Sequence, residues 1–169
     1  MVNAKELRVD NFVKCKKSND AGYYRVAEIG GWIRRWDKKK KDESFIDERL
    51  IKINGGARDG ETYGESDLKP IQLTPEILVA CGFRYGKTDG ITSFEDSNND
   101  PDGVTHYWDK GIKRTELIDS HNISLVKWGK QEYFTFQLER GFYRQRIKYL
   151  HQLQNLYFTL SGEELPYNP

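Results

Sequence analysis

Cysteine, histidine and long apolar runs are all scarce in this chain of 169 residues. Its two cysteines, Cys15 and Cys81, are too few for a disulfide framework and lack the paired spacing of a zinc site, which favours a reducing compartment. No apolar run approaches the roughly 20 residues that a membrane-spanning helix needs, and no secretion signal opens the chain. The sequence therefore predicts a soluble, cytoplasmic protein with no membrane partner.

Catalytic motifs are missing as well. The three histidines, His106, His121 and His151, are scattered, and His151 falls in a predicted core helix, where a structural role is expected. There is no phosphate-binding glycine loop, no histidine pair at helical spacing and no nucleophile elbow. We therefore predict no enzymatic activity, no catalytic residue and no cofactor. A metal-dependent hydrolase built from scattered carboxylates is the alternative.

The acidic segment 98–109 has the spacing of a calcium-binding loop. Its matching residues are Asn98, Asp100, Asp102, Gly103 and Asp109. The match is poor in detail, because Pro101 lies inside the loop, the last position is a short Asp, and the flanking segments lack a helical pattern. An ordinary turn is the preferred interpretation, and no metal site is predicted.

The apolar fraction of 37% is low, but four Trp, ten Tyr and eight Phe can bury a large area per residue. A chain of this length suits one domain with a substantial core. Alternating apolar residues predict strands, the clearest at 23–36, 45–53, 123–128, 132–138 and 142–148, with a bend in the first of these at Gly30-Gly31. Further strands are expected at 6–15, 91–95, 107–108 and 115–118. The segment 54–67 reads as a mobile connector.

Two helices are predicted, at about 74–82 and 148–161. The first begins at Thr74, a capping residue followed by proline, and ends at Gly82. The second has apolar residues at spacings of three and four and ends at Gly162: Ile147, Leu150, Leu153, Tyr157 and Leu160. The expected fold is therefore α+β, a single domain over 1–169 with a largely antiparallel β-sheet and two helices.

Charge is segregated along the chain although the net charge is only +1. Residues 1–41 carry 12 Lys/Arg against 5 Asp/Glu, residues 42–109 carry 6 against 15, and residues 110–169 carry 9 against 6. Such blocks favour a bipolar surface that attracts phosphates or an acidic partner on one side. Interleaving of the blocks in space, with mutual cancellation, is the alternative.

The most suggestive surface combines tryptophans with cations, and its residues are Trp32, Arg34, Arg35, Trp36, Lys38, Lys39, Lys40 and Lys41. Alternation along a strand places Trp32, Arg34 and Trp36 on one side. Exposed indoles beside cations suit stacking on single-stranded RNA, or a hot spot against an acidic protein. The alternative is a hairpin with solvated lysines and tryptophans in the core.

A second basic row consists of Arg144, Arg146 and Lys148, which alternate with Tyr143, Gln145 and Ile147. If this row is exposed, it extends the first surface. In the alternative interpretation its residues form ion pairs with the acidic middle block, a structural role that contributes little.

Two segments carry a resemblance: SDLKPIQLTPEILVACGF at 66–83 and HQLQNLYFTLSGEEL at 151–165. They resemble a family of small proteins of Bacteroidetes bacteria, their phages and prophages, in which HQLQNLYFALTGEEL ends the chain. The resemblance implies a phage or prophage setting, in which small proteins disable host defences. Anti-CRISPR proteins of this bacterial group, including one that acts on a type VI RNA-guided RNA nuclease, give that setting a specific target class.

Together these features predict a non-enzymatic binding protein that inhibits a bacterial defence system. The expected partner is an RNA-guided CRISPR nuclease, inhibited by direct binding or by interference with its guide RNA. The alternative is an accessory protein that binds RNA or single-stranded DNA, whose affinity would fall steeply with salt. The sequence does not indicate an oligomeric state.

Overall fold

A computed structural model describes residues 4–16, 22–36, 45–55, 59–89, 104–112, 121–128, 131–138 and 141–167. The chain divides into two compact units, Met1–Ile71 and Gln72–Pro169, each of which holds one five-stranded antiparallel sheet. Neither helix in these described ranges has the length and apolar character needed to cross a membrane. The fold class is α+β, as the sequence predicts.

The sheet of the first unit has the strand order β4-β3-β2-β1-β5. Its strands are β1 (Phe12–Cys15), β2 (Tyr24–Trp36), β3 (Phe45–Asn54), β4 (Thr62–Gly64) and β5 (Leu68–Pro70). Short 3-10 helices occupy Ala4–Glu6 and Glu65–Asp67. The core of this unit consists of Leu7, Val13, Cys15, Tyr24, Val26, Ile51, Ile53, Tyr63 and Leu68.

Strand β2 departs twice from regular pairing with β3. Its register shifts between Val26 and Glu28 and again between Ile29 and Trp32. The second shift includes Gly30 and Gly31, where the sequence predicts a bend. Each shift adds one residue to β2, and since side chains alternate between faces, each extra residue exchanges the faces beyond it.

A carboxylate is buried at the edge of this sheet. Glu48 of β3 is 2% exposed, and its Oε2 accepts a hydrogen bond of 3.0 Å from the backbone N–H of Ser66. Gly64 lies directly against it, since a Cβ at this position would be 2.3 Å from Glu48 Oε1. A Cβ at position 64 would therefore displace the Glu48 carboxylate from its buried position.

The sheet of the second unit is a meander in sequence order. Its strands are β6 (Arg84–Asp89), β7 (Val104–Ile112), β8 (His121–Trp128), β9 (Phe134–Leu138) and β10 (Gly141–Ile147). Each strand pairs antiparallel with the next. Their buried apolar side chains belong to Trp108, Ile112, Ile123, Leu125, Val126, Phe134, Phe136 and Ile147.

Helix α1 (Pro75–Ala80) confirms the shorter of the two predicted helices. Thr74 Oγ1 accepts from the backbone N–H of Ile77 at 3.4 Å, and Pro75 takes the first helical position. The helix ends before Gly82, whose φ of +80° is the left-handed conformation that glycine adopts without strain. Lys110 of β7 secures this end, because its Nζ donates a 2.8 Å hydrogen bond to the carbonyl of Cys81.

Helix α2 (Leu150–Ser161) confirms the longer one. The Gln152 Oε1 accepts from the backbone N–H groups of Lys148 and Tyr149, at 3.0 and 3.2 Å, which satisfies donors that the first turn leaves open. The predicted stop is also present, since Gly162 has a φ of +74°. A hydrogen bond from Leu73 N to Lys148 O joins the entries to the two helices.

Some local predictions need correction. The segment 54–67, expected to be a mobile connector, contains β4 and the second 3-10 helix, because pairing with β3 orders it. The first strand, expected from Glu6, begins only at Phe12. Strand β6 was not predicted, and β7 was expected only at 107–108 although it spans Val104–Ile112. The strands expected at 91–95 and 115–118 fall outside the described residues. That residues 1–169 form a single domain stays a prediction.

Candidate functional site

The outer half of the β2–β3 hairpin carries an exposed aromatic residue beside a cation. Trp32 pairs directly with Arg49 across the two strands, and its side chain is 60% exposed. The guanidinium carbon of Arg49 lies 5.2 Å from the centre of the Trp32 ring system, within the range of a cation–π contact. The alternative interpretation, in which the tryptophans are core residues, is therefore wrong for Trp32.

The bulge at Gly30-Gly31 decides which face of the hairpin bears this pair. Ile29 pairs with Ile51, and Trp32 pairs with Arg49, two residues before Ile51 on the same face of β3. Because of the extra residue, Trp32 lies on the same face of the sheet as Ile51. That face is buried where it carries Ile51. The same face is core at one end of the hairpin and exposed surface at the other.

Arg34 lies two residues beyond Trp32, and its side chain is exposed like that of Trp32. It pairs in register with Asp47 of β3. Arg35 and Trp36 are the last residues of β2. Lys38, Lys39, Lys40 and Lys41 lie outside the described residues. The hairpin surface, defined here as Trp32, Arg34 and Arg49, is therefore the part that the structure establishes.

The second basic row belongs to the other unit. Arg144 and Arg146 lie in β10, and Ile147 is buried while Arg146 is exposed, as the alternation predicts. The Arg146 guanidinium carbon is 4.8 Å from the centre of the Tyr133 ring. That this row extends the hairpin surface stays a prediction.

Lys148 follows β10 and forms an ion pair, which is the alternative considered for this row. Its Nζ is 2.6 Å from Oε2 of Glu132. This hydrogen bond, with the attraction between the charges, lowers the pKa of Glu132 and raises the pKa of Lys148. The partner lies in the C-terminal block of the sequence and not in the acidic middle block. Both groups are exposed to solvent, so the pair contributes little to stability.

The remaining candidates have structural surroundings. Asp109, the last position of the calcium-like spacing, lies in β7 and accepts a 2.5 Å hydrogen bond from the Ser124 hydroxyl; the other positions lie outside the described residues. Within the described ranges, no three His, Cys, Asp or Glu side chains are grouped to hold a metal ion. Both cysteines are buried free thiols, as predicted. His151 is buried in α2 and stacks on Tyr149, with ring centres 5.7 Å apart.

Sequence reasoning missed a group of rings in the second unit. Tyr85, His106 and Trp108 contact one another across β6 and β7. The alternation of His106 and Trp108 within one strand is a signal that they share a face. Their proximity to Tyr85, however, depends on the register of two strands separated by an acidic segment.

Comparison with known proteins finds no matching family model, no matching curated protein and no matching solved structure. The resemblance of residues 66–83 and 151–165 to the Bacteroidetes and phage family therefore stays a prediction.

Proposed function

We propose that this chain is a non-enzymatic binding protein that inhibits a bacterial defence system through its hairpin surface. The observation that carries the proposal is the exposed Trp32 ring with the Arg49 cation against it. Tryptophan and arginine dominate the binding energy of protein interfaces. The indole buries a large area with only two side-chain torsions, and the guanidinium group donates several hydrogen bonds in a fixed geometry. A solvent-exposed Trp held in place by a neighbouring side chain is preorganised for such a contact.

The charge of the region supports an acidic partner surface. Arg34 and Arg49 flank Trp32 on the hairpin, and the sequence continues into Lys38–Lys41. Close cations would attract an acidic groove and accelerate association, and burial of the indole would then provide affinity.

The proposed target is an RNA-guided CRISPR nuclease in the cytoplasm of the host bacterium, inhibited by direct binding or by interference with its guide RNA. This part of the proposal rests on the resemblance to the phage and prophage family.

The test is an inhibition assay with a purified, guide-loaded type VI nuclease of this bacterial group and a fluorescent reporter RNA. We expect the protein to slow reporter cleavage, and Trp32→Ala with Arg34→Gln to weaken inhibition by about a hundredfold, the scale of interface hot spots. Lys52→Gln is the matched control, because Lys52 is an exposed cation of β3 on the opposite face.

Two results would contradict the proposal. One is no inhibition at any protein concentration. The other is inhibition that the Trp32 and Arg34 replacements leave unchanged although the variant remains folded by circular dichroism. If guide RNA without nuclease binds the protein with an affinity that falls steeply with salt and that the Trp32 and Arg34 replacements weaken, the accessory RNA-binding function replaces this one.

A further inference from the structure

The second unit contains a groove between α1 and the face of its sheet. It has a volume of about 470 Å³. Its lining residues are Pro75, Glu76, Val79, Tyr85, His106, Trp108 and Lys127. Val79 is 56% exposed and Tyr85 is 52% exposed, so one wall and part of the floor present apolar area to solvent. Exposed apolar area of this kind in a concave site marks a binding surface.

Tyr85 and His106 form one flat surface on the floor of the groove. The Tyr85 hydroxyl is hydrogen-bonded to Nδ1 of His106 at 2.8 Å, and the two ring planes differ by only 19°. A hydroxyl oxygen lies in the plane of its phenol, and an imidazole nitrogen hydrogen-bonds in the plane of its own ring. The rings, with centres 6.0 Å apart, therefore lie edge to edge and not one above the other.

The buried Trp108 packs against Tyr85 and supports this surface. Trp108 is 4% exposed, its ring centre lies 5.3 Å from that of Tyr85, and it packs edge-on against Phe134 at 5.2 Å. Cross-strand pairing of Tyr85 with Trp108 fixes the positions of the rings. A planar ligand would meet a preorganised aromatic floor and lose little side-chain entropy on binding.

Charged groups border the floor on the same face. Lys127 pairs with His106 from β8, and Lys87 pairs with His106 from β6; Lys87 is exposed. Glu76, at the start of α1, supplies the carboxylate of the groove. A hydrogen bond with Thr74, and to a smaller extent the Lys127 charge, lowers the pKa of Glu76, so this side chain is an acceptor at neutral pH.

We propose that this groove binds single-stranded nucleic acid. One base stacks on the Tyr85–His106 surface, and the flanking phosphates contact Lys87 and Lys127. Glu76 accepts a hydrogen bond from an exocyclic amino group, which favours adenine or cytosine over uracil. Two lysines against one carboxylate give the anionic backbone the complementary charge, and the open groove admits a strand that continues at both ends.

The test is fluorescence anisotropy with labelled oligo(A) and oligo(U) of about ten nucleotides, the length that one such site covers. Oligo(A) should bind more tightly than oligo(U). Tyr85→Ala should weaken oligo(A) binding about tenfold, the effect of losing one stacked base, while Tyr85→Phe retains most of it. Lys87→Gln and Lys127→Gln should each reduce the slope of log affinity against log salt by about 0.7.

Lys69→Gln is the matched control, because Lys69 is an exposed strand lysine of the first unit and should not change binding. Glu76→Gln should reduce the ratio of the affinity for oligo(A) to the affinity for oligo(U). Absence of oligonucleotide binding at low salt overturns the proposal, and so does unchanged binding by Tyr85→Ala. Competition by AMP as strong as that by oligo(A) would make a free nucleotide the ligand and overturn the single-strand assignment.

This inference stands apart from the proposed function, because it uses residues of the other unit. Replacements at Trp32 and Arg34 should leave oligo(A) affinity unchanged. Tyr85→Ala should weaken oligo(A) binding about tenfold whether or not the nuclease is the target of the hairpin surface. The two ideas can therefore fail separately.

Discussion

The thiol of Cys81 makes the stability of this protein sensitive to alkaline pH. Cys81 follows helix α1 and is completely buried. Burial raises the pKa of its thiol from 9.0 to about 12, against the smaller opposing effect of the Lys110 ammonium group. The folded state therefore keeps the thiol proton over a pH range in which the unfolded state has lost it.

The sign and size of the effect follow from this difference in proton binding. Between the two pKa values, the unfolded state binds fewer protons than the folded state, so the free energy of unfolding falls as pH rises. Each pH unit above the unfolded pKa lowers it by about 1.4 kcal/mol. Between pH values of about 7.5 and 10.5, the contribution of Cys81 is a loss of about 2 kcal/mol.

Urea unfolding at these two pH values measures the effect. Cys81→Ala is the comparison protein, because it lacks the thiol but retains Lys110 and Tyr157, whose pKa values are also shifted by burial. The wild-type protein should lose about 2 kcal/mol more than Cys81→Ala between the two conditions. Equal losses in the two proteins would refute the reasoning, since the thiol would then ionise as readily in the folded state as in the unfolded one.

Three further predictions concern contacts within single units. Gly64→Ala should lower the free energy of unfolding by about 1–3 kcal/mol in chemical denaturation, because the new Cβ would overlap the buried Glu48 carboxylate; Gly31→Ala, with no atom within 4 Å of its Cβ, is the control. Lys110→Met should cost about 1 kcal/mol, because the Cys81 carbonyl loses its donor; an unchanged denaturation midpoint would show that water replaces the ammonium group. Gln152→Ala should cost about 1 kcal/mol, since two N–H groups before α2 lose their acceptor; a thermal melt that matches wild type would contradict this capping role.

The helices and most of the long strands were predictable because their signals are local. Thr74, Pro75 and Gly82 mark the ends of α1 within one short stretch, and the structure confirms both ends. The bend of β2 was likewise visible as Gly30-Gly31. Each signal reflects conformational preferences of neighbouring residues, which act before any tertiary contact forms.

Strand β6 shows where local signals fail. Its sequence, RYGKTD, has few apolar or β-branched residues and contains a central glycine. Pairing with β7 imposes the extended conformation, and Gly86 accommodates the ring of Tyr107, whose Cζ would lie 2.3 Å from an added Cβ. Strand propensity depends on such neighbours more than on the residues themselves.

The candidate site was only partly predictable for the same reason. Alternation correctly placed Trp32 and Arg34 on one face, but it could not decide whether that face is core or surface. The answer depends on the two register shifts of β2 and on Arg49, a neighbour 17 positions away in sequence. The surface made by Tyr85 and His106 joins residues 21 positions apart, and no local pattern indicates it.

By itself, the sequence determined the α+β class, the approximate ends of both helices, the positions of β2, β3, β8, β9 and β10, and the segregation of charge. These properties depend on residue type and on spacing within a few positions. Only the tertiary structure decided that the strands form two five-stranded sheets, that Trp32 is exposed beside Arg49, and that three rings meet next to α1. Strand register and partner choice bring distant residues together, and a shift of one residue exchanges the faces of a strand.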